Sequence, residues 1–162
     1  INPALAFGTG HHETTYMMIQ AMLDIQFENK TVVDIGTGSG ILSILAKKLN
    51  AKKVTAVDND SLTINNFFEN LHLNQINEND IDFSINDCLM IKNFNDDIIL
   101  ANINTNVLLK LIPRISCRSS IMVVSGILNT DEKSIIQVIK NSDKKILNKY
   151  AKNEWLCFSI NL

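Results

Sequence analysis

The chain is poor in cysteine, proline and tryptophan. Its 162 residues include three cysteines, two prolines and one tryptophan. The cysteines Cys88, Cys117 and Cys157 are odd in number, far apart and set in apolar runs, so they predict neither a disulfide framework nor a zinc site. Isolated thiols in apolar surroundings are typical of buried cysteines in a reducing compartment. We therefore expect a cytoplasmic protein.

The sequence also lacks a cluster of basic residues and a long apolar run. Fifteen Lys and Arg residues nearly balance 17 Asp and Glu residues, which gives a formal net charge of −2. Because binding to nucleic-acid phosphates needs concentrated positive charge, direct contact with nucleic acid is not expected. No apolar stretch approaches the roughly 20 residues of a membrane span, and the first residues do not resemble a signal peptide. Membrane association is therefore not expected either.

The length and the hydrophobic content of 46% predict one well-buried domain over residues 1–162. The chain begins with Ile1 instead of methionine, and its first ten residues already carry part of what resembles a binding site. We therefore expect the chain to be a fragment of a longer protein.

Short apolar strand patterns alternate with helical patterns from residue 31 onward. This alternation favours parallel βαβ units over hairpins. The patterns predict strands over 31–35, 53–57, 81–85, 97–101 and 121–125. They predict helices over 12–23 and 41–49, from Asp60 or Ser61 to about Leu71, from Asn106 to Leu111 or Ile115 with Pro113 near its end, and from Thr130 or Asp131 to about Asn141.

Three glycines at alternate positions follow the first predicted strand, in the run Val32-Val33-Asp34-Ile35-Gly36-Thr37-Gly38-Ser39-Gly40. Glycine lets the backbone approach a ligand because it has no Cβ. The spacing G-x-G-x-G differs from the G-x-G-x-x-G of dinucleotide sites. Asp34 tolerates a positive charge but disfavours a pyrophosphate at the same turn. The motif therefore favours the sulfonium cofactor S-adenosylmethionine over a nicotinamide cofactor, and we expect Asp34, Gly36 and Gly38 to contact it.

Acidic residues follow the second and third predicted strands. Asp58 lies 22 positions after Gly36, the offset expected for an acid that accepts hydrogen bonds from ribose hydroxyls. The alternative is that Asp58 only begins a turn with Asn59 and Asp60. Asp87 can accept from an adenine amino group, although its surroundings are equally typical of a turn.

Asn102 ends the fourth predicted strand, at the sheet edge where open α/β folds bind ligands. Its amide can donate to a cofactor and accept from a substrate amine. We therefore expect Asn102 both to bind the cofactor and to act as the catalytic residue. The alternative is capping of the next helix, for which Asn104, Thr105 and Asn106 are better placed.

The last two predicted strands, 145–150 and 155–160, are separated only by a short turn near Asn153. Strands joined in this way must pair antiparallel. A dinucleotide-binding fold would continue with another helical crossover, whereas a parallel sheet finished by an antiparallel strand is typical of class I methyltransferases. We predict an α/β, Rossmann-like, seven-stranded, mostly parallel sheet with an antiparallel last strand.

The opening segment carries a more specific signal. Phe7 to Thr15 combines glycines, hydroxyls and two histidines, and alone it fits either a segment that covers a cofactor or a free end with Thr14 or Thr15 as a helix cap. The run Asn2-Pro3-Ala4-Leu5-Ala6-Phe7-Gly8-Thr9-Gly10-His11-His12-Glu13-Thr14-Thr15 resembles the N-P-G-L-A-F-G-T-G-x-H-x-T-T segment of PrmA-type ribosomal protein methyltransferases. The similarity continues through 30–42, Ala101-Asn102-Ile103, 125–128 and Glu154-Trp155, and so spans essentially the whole chain.

The resemblance implies S-adenosylmethionine-dependent methylation of ribosomal protein L11 at lysine side chains and at its N-terminal amine. Glu13 stands where the family usually has proline, Thr37 stands where it often has cysteine, and the family's separate N-terminal substrate-recognition domain is missing. Paired histidines without further ligands do not predict a metal site. The cofactor contacts that the resemblance implies are Thr15, Gly36, Asp58 and Asn102, and the opening segment adds Phe7 and Thr9.

Methyl transfer from a sulfonium to an amine is a direct displacement, so the chain must align the reacting atoms and need not form a covalent intermediate. No residue stands out as a general base. We expect Asn102 and a backbone carbonyl to hold the amine, with His12 as a candidate proton relay. The alternatives are methylation of another protein or of a small metabolite, or an inactive module that binds the cofactor. A nicotinamide oxidoreductase is disfavoured by the glycine spacing and the terminal strands.

Overall fold

The computed structural model describes residues 1–2, 12–116 and 120–162. Within these ranges, strands and helices alternate as the sequence predicts. The strands are β1 (Thr31–Ile35), β2 (Lys53–Asp58), β3 (Asp82–Ile85), β4 (Ile98–Asn102), β5 (Ile121–Leu128), β6 (Lys145–Lys152) and β7 (Trp155–Asn161). The helices are α1 (Glu13–Leu23), α2 (Ile41–Lys48), α3 (Thr63–Leu73), α4 (Thr105–Leu111) and α5 (Glu132–Asn141).

The strands form one sheet in the order β3-β2-β1-β4-β5-β7-β6. The pairs from β3 to β5 are parallel, and β7 is antiparallel to both β5 and β6. The predicted seven-stranded, mostly parallel sheet with an antiparallel last strand is therefore confirmed. The strand order reverses between β1 and β4, which is where open α/β sheets form ligand sites.

Helices cover both faces of the sheet because successive strand residues point to opposite sides. Val32 belongs to one apolar cluster, with Met18 of α1 and Phe67 of α3. Val33 belongs to the other, with Leu108 of α4 and Ile135 of α5. The central strands are buried on both faces, so the sheet edge at their carboxyl ends is left for a ligand site. In the described part of the chain, no helix combines the length and the apolar character needed to cross a membrane.

The starts of α1 and α3 differ from the predicted ones, whereas the start of α5 agrees. α1 begins after His12, whose Nδ1 accepts a 3.3 Å hydrogen bond from the Thr14 N–H, so neither Thr14 nor Thr15 is the cap. α3 begins at Thr63, because the Asp60 carboxylate accepts from the Leu62 N–H at 2.9 Å in the turn before the helix. Asp131 occupies the N-cap of α5 but makes no capping hydrogen bond through its side chain.

The region around α4 agrees with the predicted helix signals. Asn104 caps α4, because its Oδ1 accepts a 3.1 Å hydrogen bond from the Val107 N–H. Pro113 follows in a short 3₁₀ turn over Ile112–Arg114, where its missing N–H breaks no α-helical bond.

The turn between β6 and β7 contains Asn153 at a φ of +53°.

The described cysteines are both free. Cys157 is buried, and its burial raises the pKa of the thiol to about 12. Cys88 is half-buried, and burial raises its pKa as well. Cys117 lies outside the described residues. Among the residues that the structure describes, no group of three or more His, Cys, Asp or Glu side chains is placed to hold a metal ion.

Candidate functional site

A cavity of about 450 Å³ opens at the carboxyl ends of the central strands. This volume is suited to a small organic ligand. Four of the predicted site residues line it: Gly36, Gly38, Asp58 and Asn102. Phe7 and Thr9, which were predicted from the opening segment, lie outside the described residues.

The glycine turn after β1 forms one wall of this cavity. Gly36, Gly38 and Gly40 all have positive φ, between +53° and +83°. A Cβ on Gly36 would collide with the Cγ2 atom of Ile103. The Gly36 N–H donates to the carbonyl of Val57 at 2.8 Å, which holds the turn against the end of β2. The turn therefore needs glycine for both backbone conformation and space.

Asp58 joins the glycine turn to the end of β2. Its Oδ2 accepts a 2.8 Å hydrogen bond from the Gly38 N–H, and its Oδ1 accepts a 3.0 Å bond from the Asp60 N–H. The side chain is nearly buried but lines the cavity. A carboxylate has about four lone-pair sites, so two remain to accept from ligand hydroxyls. The predicted turn with Asp60 thus exists, and it leaves capacity for a ligand.

Asp34 and Thr15 are predicted site residues that do not line the cavity. Asp34 is fully buried beneath the glycine turn, where its Oδ2 accepts from both Thr37 Oγ1 and Ser43 Oγ at 2.7 Å. The Ser43 N–H also donates to Oδ2, at 3.1 Å. Burial raises the pKa of Asp34, and the hydrogen bonds from Ser43 and Thr37 oppose this shift. The arrangement makes Asp34 a support for the turn.

Asn102 lines the cavity and contacts Thr15, which is distant in sequence and lies behind the cavity wall. The Asn102 Nδ2 donates to the Thr15 Oγ1 at 3.4 Å, and Thr15 is fully buried in the first turn of α1. The Asn102 Oδ1 is buried and has no hydrogen-bond partner among the residues that the structure describes. An unpaired buried acceptor costs about 1 to 3 kcal/mol. This oxygen therefore points to a hydrogen-bond donor on a ligand.

An aromatic pair also lines the cavity. The rings of His12 and Trp155 meet edge to face, with centroids 5.1 Å apart and planes at 65°. Both residues line the cavity. Sequence reasoning missed Trp155 as a site residue, although an antiparallel β7 places its first residue at the carboxyl end of β5, where Trp155 pairs with Leu128.

Gly126 is a second site residue that sequence reasoning missed. It lies at an irregularity in the pairing of β5 with β7 and has a φ of +85°. A Cβ there would collide with the carbonyl oxygen of Ile103. A glycine inside a strand pattern is a known signal for a bulge or a close backbone approach, so the sequence did contain this information.

A smaller cavity of about 140 Å³ adjoins the first and shares Gly36, Asp58 and Ile103 with it. Asp87 lines it, and the Asp87 Oδ1 accepts a 2.8 Å hydrogen bond from the Leu89 N–H. Asp87 thus makes the predicted turn contact and also faces the cavity. Val107 of α4 adds an apolar wall.

The chain is similar over its whole length to one family of proteins. The model of the family "Ribosomal protein L11 methyltransferase (PrmA)" matches residues 1–162. A ribosomal protein L11 methyltransferase from Prochlorococcus marinus (strain AS9601) is 40% identical over 166 residues, which cover 98% of this chain and 55% of the relative. The corresponding protein from Helicobacter acinonychis is 37% identical, with 99% of this chain and 49% of the relative covered. The chain therefore spans about half the length of these curated relatives.

A solved structure supports the same assignment. The crystal structure of a ribosomal protein L11 methylase from Lactobacillus delbrueckii subsp. bulgaricus superimposes with a TM-score of 0.89 at 33% identity. The match covers 99% of this chain and 83% of that chain. Sequence and fold agree along the full length, and the chain belongs to the ribosomal protein L11 methyltransferase (PrmA) family.

Proposed function

We propose that this chain transfers methyl groups from S-adenosylmethionine to amines of ribosomal protein L11, at lysine side chains and at the N-terminal amine. The observation that carries the proposal is the buried Asn102 Oδ1, which has no partner in the described part of the chain and belongs to the same cavity as Asp58 and the glycine turn. The names of the family and of the relatives support the choice of acceptor. A ribosomal protein as partner fits a cytoplasmic location and requires neither nucleic acid nor a membrane.

The residues present fit S-adenosylmethionine. Asp58 would hold the ribose hydroxyls, because its carboxylate keeps lone pairs after binding Gly38 and Asp60. Gly36 and Gly38 line the main cavity without side chains, and the adjoining 140 Å³ cavity, lined by Val107 and Asp87, offers a slot for a planar base. When bound, this cofactor supplies an electrophilic methyl group on a positively charged sulfur.

The remaining task of the chain is to present a neutral amine. A lysine with a pKa near 10.4 is neutral in only about one molecule in a few thousand at pH 7. The free-energy cost of removing its proton at this pH is therefore roughly 4 to 5 kcal/mol. The rings of His12 and Trp155 and the side chain of Ile103 give the cavity an apolar wall, and desolvation there lowers the pKa of an amine.

Asn102 would orient that amine. Its Oδ1 can accept an amine N–H, while the bond from Nδ2 to Thr15 holds the amide in place. His12 remains our proposed proton relay. Its Nδ1 accepts a hydrogen bond from the Thr14 N–H at the N-terminus of α1. Alignment of nitrogen, methyl carbon and sulfur is the main catalytic effect that we propose.

The test combines binding and transfer in the purified protein. Calorimetry measures binding of S-adenosylmethionine, and mass spectrometry measures methyl groups added to recombinant ribosomal protein L11. We expect binding together with added mass in multiples of one methyl group. Binding without transfer to L11 would contradict the proposed acceptor and favour another amine or an inactive module. Binding of NADH in place of S-adenosylmethionine would contradict the proposal altogether.

A further inference from the structure

The side chain of Asn70, on α3, connects two separate segments of the chain. Its Nδ2 donates to the carbonyl of Ser39 at 2.9 Å and to the carbonyl of Asn2 at 3.0 Å. Its Oδ1 accepts from the N–H of Asn2 at 2.6 Å. Asn70 is fully buried, and both amide hydrogens and the amide oxygen are used. Burial of a side-chain amide is unfavourable unless its polar atoms are hydrogen-bonded. The three bonds therefore make the buried position of Asn70 possible.

One of these bonds reaches the glycine turn of the candidate site. Ser39 lies between Gly38 and Gly40, both of which have positive φ. Phe67 lies one helical turn before Asn70, and its ring occupies the space beside Gly40. A Cβ on Gly40 would lie 2.8 Å from the Phe67 ring. The same face of α3 therefore contacts two consecutive residues of the turn.

The turn is thus held at two of its peptide groups, Thr37–Gly38 and Ser39–Gly40. Asp58 accepts from the Gly38 N–H, and Asn70 donates to the Ser39 carbonyl. Glycine has little conformational preference of its own, so the orientation of these peptide groups depends on such tertiary bonds. The two peptide groups are also joined to each other, because the Gly40 N–H donates to the Thr37 carbonyl at 2.9 Å, so loss of the bond at Ser39 alters the support of the peptide that Asp58 contacts.

We infer that Asn70 is a positioning residue for the cofactor: its bond to the Ser39 carbonyl sets the backbone orientation that the Gly38 and Asp58 contact requires. This inference rests on the proposed function, because it takes the glycine turn to be the cofactor-binding wall. Asn70 acts through the turn and does not itself line the cavity.

The chain offers a matched control in Asn66. Its Nδ2 also donates to the Asn2 carbonyl at 3.0 Å, from the same face of α3. Within the described residues, Asn66 forms no hydrogen bond with the glycine turn and its Oδ1 has no hydrogen-bond partner. Replacement of Asn66 removes a contact to Asn2 alone, whereas replacement of Asn70 removes the contacts to Asn2 and Ser39 together.

The experiment compares Asn70→Ala and Asn66→Ala in the purified protein by calorimetry with S-adenosylhomocysteine, after circular dichroism has verified that each variant is folded. We expect the Kd to rise at least tenfold for Asn70→Ala and less than threefold for Asn66→Ala. In methylation assays, the KM for S-adenosylmethionine should rise in Asn70→Ala while kcat at saturation stays within about twofold of the wild-type value. Asn70→Ser, which keeps a polar group in a smaller side chain, decides by the same criterion if Asn70→Ala does not fold.

The possible outcomes distinguish a failure of the proposed function from a failure of the positioning role of Asn70. A wild-type protein that binds no S-adenosylhomocysteine contradicts the proposed function. Wild-type affinity in a folded Asn70 variant overturns only the positioning role. Equal losses in the Asn66 and Asn70 variants also overturn it, because they would assign the effect to Asn2 and not to Ser39.

Discussion

The carboxylate of Asp58 accepts a 2.8 Å hydrogen bond from the backbone N–H of Gly38. The bond connects the carboxyl end of β2 to the turn that follows β1. As a result, the proposed ribose acceptor and the glycine turn form one continuous wall of the 450 Å³ cavity. Changes on either side of this bond should therefore alter cofactor affinity.

Replacement of Asp58 by alanine should weaken cofactor binding strongly. The variant loses the acceptor for ribose hydroxyls and the bond from Gly38. A hydrogen bond to a charged group contributes about 1.5 to 3 kcal/mol, so we expect the Kd for S-adenosylmethionine to rise at least tenfold in calorimetry. Asp82→Ala, which removes an exposed acid on the neighbouring strand β3, is the control and should leave the Kd unchanged. An unchanged Kd in Asp58→Ala would refute the ribose assignment.

Gly36→Ala and Gly126→Ala should both destabilise the fold. A second substitution, Ile103→Ala, should restore part of the lost stability in Gly36→Ala but none in Gly126→Ala. An alanine at positive φ costs about 1 to 2 kcal/mol, and a steric clash adds about 1 to 3 kcal/mol. The clash at Gly36 is with the Ile103 side chain, whereas the clash at Gly126 is with the Ile103 backbone.

Urea denaturation of single and double variants measures this difference. Ile103→Ala should recover about 1 kcal/mol of the free energy of unfolding lost in Gly36→Ala, and nothing of that lost in Gly126→Ala. Equal coupling in the two pairs would show that the side chain of Ile103 is not what excludes a Cβ at Gly36.

Replacement of Asn102 by alanine should reduce methyl transfer far more than cofactor binding. The change removes the buried Oδ1 proposed to orient the amine and leaves Asp58 and the glycine turn intact. We expect transfer to ribosomal protein L11 to fall at least a hundredfold, by mass spectrometry, while the Kd for S-adenosylmethionine changes less than fivefold. Thr15→Val removes the partner of the long 3.4 Å bond and should have a smaller effect. Equal losses of transfer and binding in Asn102→Ala would indicate a role toward the cofactor only.

The residues that could be predicted are those whose signals are local in sequence. Gly36 and Asp58 follow buried strands at recognisable spacing, and the structure places both at the cavity. Asp34 belongs to the same local motif, yet its side chain points beneath the turn to Ser43. The alternation of side chains along β1 determines the direction of the Asp34 side chain. The spacing of the glycine motif does not specify on which face of the sheet that side chain lies.

The residues that could not be predicted depend on contacts between distant segments. Trp155 reaches the cavity only through the register of β7 on β5. Asn70 is an asparagine within a helix, a position that usually faces solvent, and its burial follows from contacts with Ser39 and Asn2. The late start of α3 at Thr63 follows from the turn at Asp60. Periodicity alone carries no information on such pairings.

The buried carboxyl of Asp34 should make stability depend on pH in a defined direction. Burial raises its pKa above the ordinary value of an aspartate in the folded protein, so the native state holds this proton more tightly than the unfolded chain does. Ionisation therefore costs stability: the cost is absent below the unfolded pKa, grows as the pH rises toward the folded pKa and is constant above it. Asp34→Asn cannot ionise, so the free energy of unfolding of this variant, relative to wild type, should increase as the pH rises above about 4.

Urea denaturation of both proteins between about pH 2.5 and about pH 7.5 measures the trend, and the change of their stability difference with pH is independent of the fixed effect of introducing an amide. Asp97→Asn provides a control of opposite sign, because the hydrogen bond from the Thr31 N–H lowers the pKa of Asp97. Its carboxylate stabilises the fold above the unfolded pKa, and that contribution is lost as the pH falls through the folded pKa. The Asp97 variant should therefore lose stability relative to wild type as the pH rises toward 4. A difference for Asp34→Asn that does not change with pH would mean that the buried carboxyl titrates alike in both states, and that desolvation beneath the glycine turn is fully offset by Thr37 and Ser43.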